Sequence, residues 1–145
     1  MIKILFICHG NICRSPTAEF VMKDMVRKRG VESQFYIESA ATSPEEIGCD
    51  MYWPAKRKLK DKGIPFSPRK ARMVRQGEYD KWDYIFGMDH ANIRDLKSLF
   101  HGDPENKVHY LLDNRSVSDP WYTDDFETAY NDIETGCSIW LGRLL

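Results

Sequence analysis

Ile2-Lys3-Ile4-Leu5-Phe6-Ile7-Cys8-His9-Gly10-Asn11-Ile12-Cys13-Arg14-Ser15-Pro16-Thr17-Ala18-Glu19 passes from an apolar run through a short polar loop into a helix start. The run Ile2 to Ile7 is short and rich in β-branched residues, as expected for a strand buried on both faces. Ser15 can cap free amides, Pro16 suits a first helical position and Glu19 suits a first turn, so a helix begins here. The loop between them lies at the carboxyl end of a strand and the amino end of a helix. Such a place presents unpaired N–H groups and the positive end of the helix dipole, and it favours an anion, phosphate above all. The same field favours the thiolate form of a cysteine at the loop's first position, Cys8. Arg14 adds a planar fork of donors matched to phosphate oxygens. Gly10 and Asn11 tolerate the left-handed backbone that a loop curling its amides inward requires. Thiolate, anion cradle and arginine together describe a nucleophile for phosphoryl transfer.

Working outward, the first helix is expected from about Pro16 to Arg29, with Ala18, Val21, Met22, Met25 and Val26 on one face. Gln34 to Glu38 is expected as a second strand, and Ser39 to Cys49 as a loop. Further on come a helix at about Pro54 to Lys62, a strand at Asp83 to Gly87, and a helix capped by Asp89 that turns Ile93, Leu96, Leu99 and Phe100 inward. Lys107 to Leu112 gives a fourth strand. A last helix over about Asp124 to Leu144 places Cys137 on its apolar stripe. Strands alternating with helices, without repeats, give a single-domain α/β fold spanning 1–145. Its sheet is open and parallel, of about four strands, with helices on both faces. In such sheets ligands bind beyond the carboxyl ends of the strands, where the Cys8 loop falls.

Composition sets further bounds. A chain of 145 residues is long enough to bury about two-thirds of its unfolded surface in one core. A net charge of −1 gives no reason to expect nucleic acid or an anionic membrane as partner. Four cysteines, at 8, 13, 49 and 137, are too scattered for a disulfide scaffold and point to a reduced, cytoplasmic setting. The N-terminal apolar run is too short for a signal peptide or a membrane span. Charge is segregated: nine Lys or Arg against one Asp between Lys56 and Arg75, and no Lys or Arg from Ser116 to Gly142. These are expected to be solvated helix faces, with steering of an acidic phosphopeptide as the lesser reading.

Cys8-His9-Gly10-Asn11-Ile12-Cys13-Arg14-Ser15-Pro16 resembles the active-site loop of the low-molecular-weight protein tyrosine phosphatases. The resemblance extends over nearly the whole chain, through Ser39-Ala40-Ala41-Thr42-Ser43, Met88-Asp89 with Asn92-Ile93-Arg94-Asp95-Leu96, and Asp119-Pro120-Trp121-Tyr122. It implies hydrolysis of phosphotyrosine and aryl phosphates through a cysteinyl-phosphate, with no metal or organic cofactor, and with phosphate or vanadate as inhibitor. It implies Cys8 as nucleophile, Arg14 as phosphate ligand, Ser15 as stabiliser of the thiolate, and Asp119 as general acid and then general base. His9, Gly10, Asn11, Ile12 and Cys13 become the substrate-binding loop, and Trp53, Trp121 and Tyr122 aromatic walls for the phosphotyrosine ring. Asn11 and Ser39 become a pair supporting the loop. Many members place a His after the Gly-Ile-Pro of residues 63 to 65 in this network. This chain has Ser67-Pro68-Arg69-Lys70 there, so the network is shorter or uses His9. Cys13 either packs the loop or, in the role the resemblance implies, can form a disulfide with an oxidised Cys8.

Competing readings each lack a requirement. Arsenate reductases of this fold share the loop but need relay cysteines, and residues 73 to 100 contain none. Protein arginine phosphatases carry a Thr where this chain has Ile12. No G-x-x-x-x-G-K-[ST] follows the first strand, and Cys8 and Cys13 lack a second pair of metal ligands. A phosphate-binding module without catalysis remains a reading from another class, against which stand Cys8, Arg14 and Asp119 together.

Overall fold

The computed structural model describes residues 1–113 and 115–145. Its elements alternate as the hydrophobic pattern predicts: β1 (Ile2–Cys8), α1 (Arg14–Lys28), β2 (Phe35–Ala41), α2 (Trp53–Asp61), β3 (Tyr84–Gly87), α3 (His90–Leu99), β4 (Val108–Tyr110), α4 (Pro120–Thr123) and α5 (Phe126–Leu144). Short 3-10 turns occupy Glu32–Gln34 and Gln76–Lys81. All strands are parallel in the order β2-β1-β3-β4, so the chain reverses its winding beside β1. That reversal opens a crevice at the carboxyl end of β1.

β1 is buried on both faces because its alternating side chains enter two separate cores. Ile4, Phe6 and Cys8 join the cluster under α1 and α5, with Val21, Met22, Ile133 and Leu141. Leu5 and Ile7 join the cluster under α3, with Trp82, Ile93 and Leu96. Among the described residues no helix is long and apolar enough to cross a membrane.

Several boundaries differ from those expected. β2 runs on to Ala41, pairing Phe6 with Ser39 and Cys8 with Ala41, so Ser39 is a strand residue rather than the start of a loop. β4 keeps only three residues, and Leu111 and Leu112 are buried without joining it. The expected last helix begins at Phe126, where Asp125 caps α5 through Thr128 N (3.0 Å), and the short α4, not expected, precedes it and ends where Asp124 takes a left-handed φ of 58°. α1 begins at Arg14, two residues before Pro16, and Cys13 precedes it without a side-chain cap. Ser15 therefore lies inside the first turn and is not the cap. Pro16 is tolerated there because first-turn N–H groups have no intrahelical partner.

Candidate active site

The loop after β1 is held by its carbonyls. Those of Cys8, His9 and Ile12 accept from Thr42 N (3.1 Å), Ser43 N (3.1 Å) and Tyr52 N (2.9 Å) on the segments outside it. With its carbonyls drawn outward, the backbone turns N–H groups toward Cys8, and Asn11 supplies the bend at φ 59°. The amides of Asn11 (3.3 Å) and Ser15 (3.4 Å) reach Cys8 Sγ. Ser15 Oγ lies 3.0 Å from the same sulfur.

Neighbouring bonds fix the direction of that last contact. Asn11 Nδ2 donates to Ser15 Oγ (2.8 Å) and to Ser39 Oγ (3.0 Å), and Ser39 Oγ in turn donates to Glu19 (2.6 Å). Ser15 already accepts from Asn11, so its hydroxyl hydrogen is left for Cys8. Three donors converge on a sulfur that is 4% exposed, an arrangement best satisfied when the sulfur is negative.

Arg14 leaves α1 into the same space with its side chain only 4% exposed. It donates to Val117 O (3.3 Å), to Asp119 Oδ2 (3.3 Å) and to Asp89 Oδ2 (2.9 Å). Burial opposes its charge, but Cys8, Asp119 and Asp89 hold it above the ordinary guanidinium value. Asp89 does two things at once. Its Oδ1 caps α3 by accepting from Asn92 N (2.8 Å), as expected, while its other oxygen aims Arg14. Gly87 leaves room for this packing: a Cβ there would fall 2.7 Å from Ile93 Cδ1 and 3.2 Å from Asn92 Cβ, so side chains of α3 would have to shift.

Asp119 caps the short α4 through Trp121 N (3.1 Å), with Pro120 as the first helical residue, and its other oxygen meets Arg14. A pocket of about 220 Å³ opens before Cys8, lined by the loop with Asp119, Trp121 and Tyr122 and by Glu45 and Glu46. His9, Gly10, Ile12 and Cys13 line it as expected. Burial first, then the charges of Cys8 and Asp119, push the Cys13 thiol up to about 12.

Two expected positions lie elsewhere. Trp53 does not line the pocket: it opens α2, is 60% exposed and carries the Arg57 guanidinium 5.7 Å above its ring. Its neighbour Tyr52, also exposed, packs its ring 5.3 Å from that of Trp121 and 6.1 Å from that of Phe126. Asn11 is wholly buried behind the loop and supports it rather than lining the pocket.

The loop-supporting network is complete without a histidine. Arg69 donates to Asn11 Oδ1, and Arg72 N donates to the same oxygen (3.2 Å). His9 takes no part and pairs instead with Glu45 at 3.0 Å. Arg69 offers only donors, so it fixes the Asn11 amide with Oδ1 toward itself and Nδ2 toward Ser15 and Ser39. Arg69→Met should lower kcat/KM for an aryl phosphate about tenfold and stability by about 1.5–3 kcal/mol. Thermal unfolding beside steady-state kinetics checks both, and Arg69→Gln should recover part of each loss.

Among the described residues no group of three or more His, Cys, Asp or Glu is gathered to hold a metal ion. The family model for low molecular weight phosphotyrosine protein phosphatase matches residues 3–145. A low molecular weight protein-tyrosine-phosphatase of Bacillus subtilis is 37% identical over 150 residues, covering 99% of this chain and 96% of that one. A human low molecular weight phosphotyrosine protein phosphatase is 36% identical, covering 97% and 94%. The crystal structure of a low molecular weight protein tyrosine phosphatase from Streptococcus pyogenes superposes with a TM-score of 0.93 at 38% identity, covering all of this chain and 94% of that one.

Proposed function

The chain belongs to the low molecular weight phosphotyrosine protein phosphatase family, and from that premise we propose that its pocket hydrolyses phosphotyrosine in proteins through a phosphate ester of Cys8. One observation carries the mechanism. The Cys8 sulfur, fed by three donors, lies in one pocket with the paired Arg14 guanidinium and Asp119 carboxyl.

A phosphotyrosine dianion entering this crevice offers its equatorial oxygens to the loop amides and to Arg14, while its ring lies along Trp121 and Tyr122. The sulfur attacks phosphorus, the bond to the phenolic oxygen breaks, and Asp119 gives its proton to that oxygen. Water then attacks the phosphoryl group, Asp119 takes its proton, and the sulfur leaves toward the waiting Ser15 hydroxyl. Every charge that develops in these two steps has a partner among Arg14, Asp119 and the loop amides. The chemistry needs a reduced cysteine, and we assign the protein to the cytoplasm on that ground. An arsenate-reductase relay has no comparable support, since Cys137 is wholly buried and burial pushes its thiol up.

The experiment is hydrolysis of p-nitrophenyl phosphate with a chelator present. Steady turnover, inhibited competitively by phosphate and more strongly by vanadate, is the expected result. Absence of turnover by the reduced protein would overturn the reading in favour of a binding module.

Oxidation gives a further expected outcome. Peroxide converts the Cys8 thiolate to a sulfenic acid; the Cys13 thiol then displaces water from it, forming the disulfide. Because the Cys13 thiol is pushed up to about 12, its reactive thiolate fraction rises as pH rises toward that value. The yield of Cys8–Cys13 disulfide relative to sulfinic acid should therefore rise between about pH 7 and pH 9, as read by mass mapping of the two thiols. Over-oxidised Cys8 alone at every pH would count against a protective role for Cys13.

A further inference from the structure

We propose that the pocket mouth selects phosphotyrosine segments whose flanking residues are basic, with Glu45 and Glu46 as the residues that read them; this rests on the phosphotyrosine reading above. The pocket is built for a dianion, yet its charged lining is mostly acidic. Glu45, Glu46 and Asp119 face a single guanidinium, that of Arg14, which already serves Asp89 and Asp119. The loop amides and Arg14 suffice to hold a phosphate, but two further carboxylates at the rim oppose it unless the substrate brings cations of its own.

The two glutamates differ in how firmly they are set. Glu46 is half-buried and lies over the loop, where a Cβ on Gly10 would come within 3.3 Å of its Cγ. Its carboxylate accepts from the Cys49 thiol, which holds that thiol above its ordinary value. Glu45 stands outside it, more than half exposed, paired with an equally exposed His9. A contact between two exposed side chains contributes little, so a substrate lysine or arginine can replace His9 at small cost. Glu46 thus marks a fixed negative point beside the phosphate, and Glu45 an adjustable one further out.

The basic segment from Lys56 to Arg75 does not compensate for this. Lys56 pairs with Asp50, Lys58 and Lys62 with Glu127, and Arg72 with Glu38 and Glu78. Arg57 lies over Trp53, and Arg69 is taken by Asn11. Lys56, Lys58, Lys62 and Arg72 are thus paired with carboxylates, and no residue of the run lines the pocket. The charged side chains that flanking residues of a substrate meet at the mouth are therefore the two glutamates.

The test uses the intact protein and three phosphotyrosine peptides of one length, carrying Lys, Ala or Glu on both sides of the phosphotyrosine. At about 20 mM salt the Lys peptide should exceed the Glu peptide about tenfold in kcat/KM, and at about 500 mM salt the ratio should shrink toward one. The isosteric Glu45→Gln/Glu46→Gln protein should lose most of the ratio at low salt. Glu105→Gln, remote from the pocket, should keep it. Equal kcat/KM for all three peptides, or a ratio that survives in the double variant, would overturn the proposal. Turnover of p-nitrophenyl phosphate, which has no flanking residues, is measured alongside: its absence in the native protein would defeat the phosphatase reading itself, whereas turnover without peptide preference would defeat only this inference.

Discussion

Cys8→Ser should lower phosphate release by roughly 10⁴-fold or more while the protein stays folded and still binds phosphotyrosine peptide. The loss is large because the site contains donors where a hydroxyl would need a base. Around Cys8 Sγ stand the amides of Asn11 and Ser15 and the hydroxyl of Ser15, whose oxygen already accepts from Asn11. These groups favour a sulfur that is already negative, but none of them takes a proton from a neutral serine. Binding survives because the amides and Arg14 do not depend on the sulfur, and removing its charge relieves repulsion of the dianion. Acid quenching during turnover should trap phosphate on the native protein and none on Cys8→Ser. Residual turnover above about one hundredth of native would remove Cys8 from the nucleophile's role.

The part of the site that sequence made legible is the part in which local chemistry and fold coincide. The apolar run of β1, the Gly10-Asn11 bend and the Ser15-Pro16 helix start lie within eighteen residues, and each constrains the same loop. Even there the helix began earlier than expected, because the Ser15 hydroxyl is spent on the nucleophile and not on a cap. Long-range partners were less legible. Asp89 could be read as a helix cap from Asn92 three residues on, but its second oxygen meets an arginine that local spacing cannot point to. Arg69 reaches Asn11 across 58 residues, from a stretch with no periodic pattern; the one signal was the absence of the histidine that the family resemblance implies there. Trp53 was credible as a wall, but it opens α2 and stands outside the pocket, a placement that depends on where α2 starts. Glu45 and Glu46 lie in a loop whose composition carries no sign of which way it folds.

Asp119→Asn should lower kcat by about 10²- to 10⁴-fold, and by more for a phosphotyrosine peptide than for p-nitrophenyl phosphate. The inequality is what identifies the role. Tyrosine leaves poorly as its anion and needs the proton that Asp119 supplies, whereas p-nitrophenolate leaves with little help. Asparagine caps a helix about as well as aspartate, so α4 and the placement of Trp121 should persist and leave the pocket's shape intact. In the resting site the carboxylate also competes with phosphate for Arg14, at 3.3 Å, while Asp89 holds the same guanidinium at 2.9 Å. Asparagine removes the competing charge and leaves Asp89 in place, so phosphate and vanadate should inhibit the variant at lower concentrations than native. Slower turnover with tighter anion binding and a widened gap between the two substrates is the pattern of a lost acid. Equal losses on both substrates with weaker anion binding would instead assign Asp119 to the support of Arg14, and the proton to another donor.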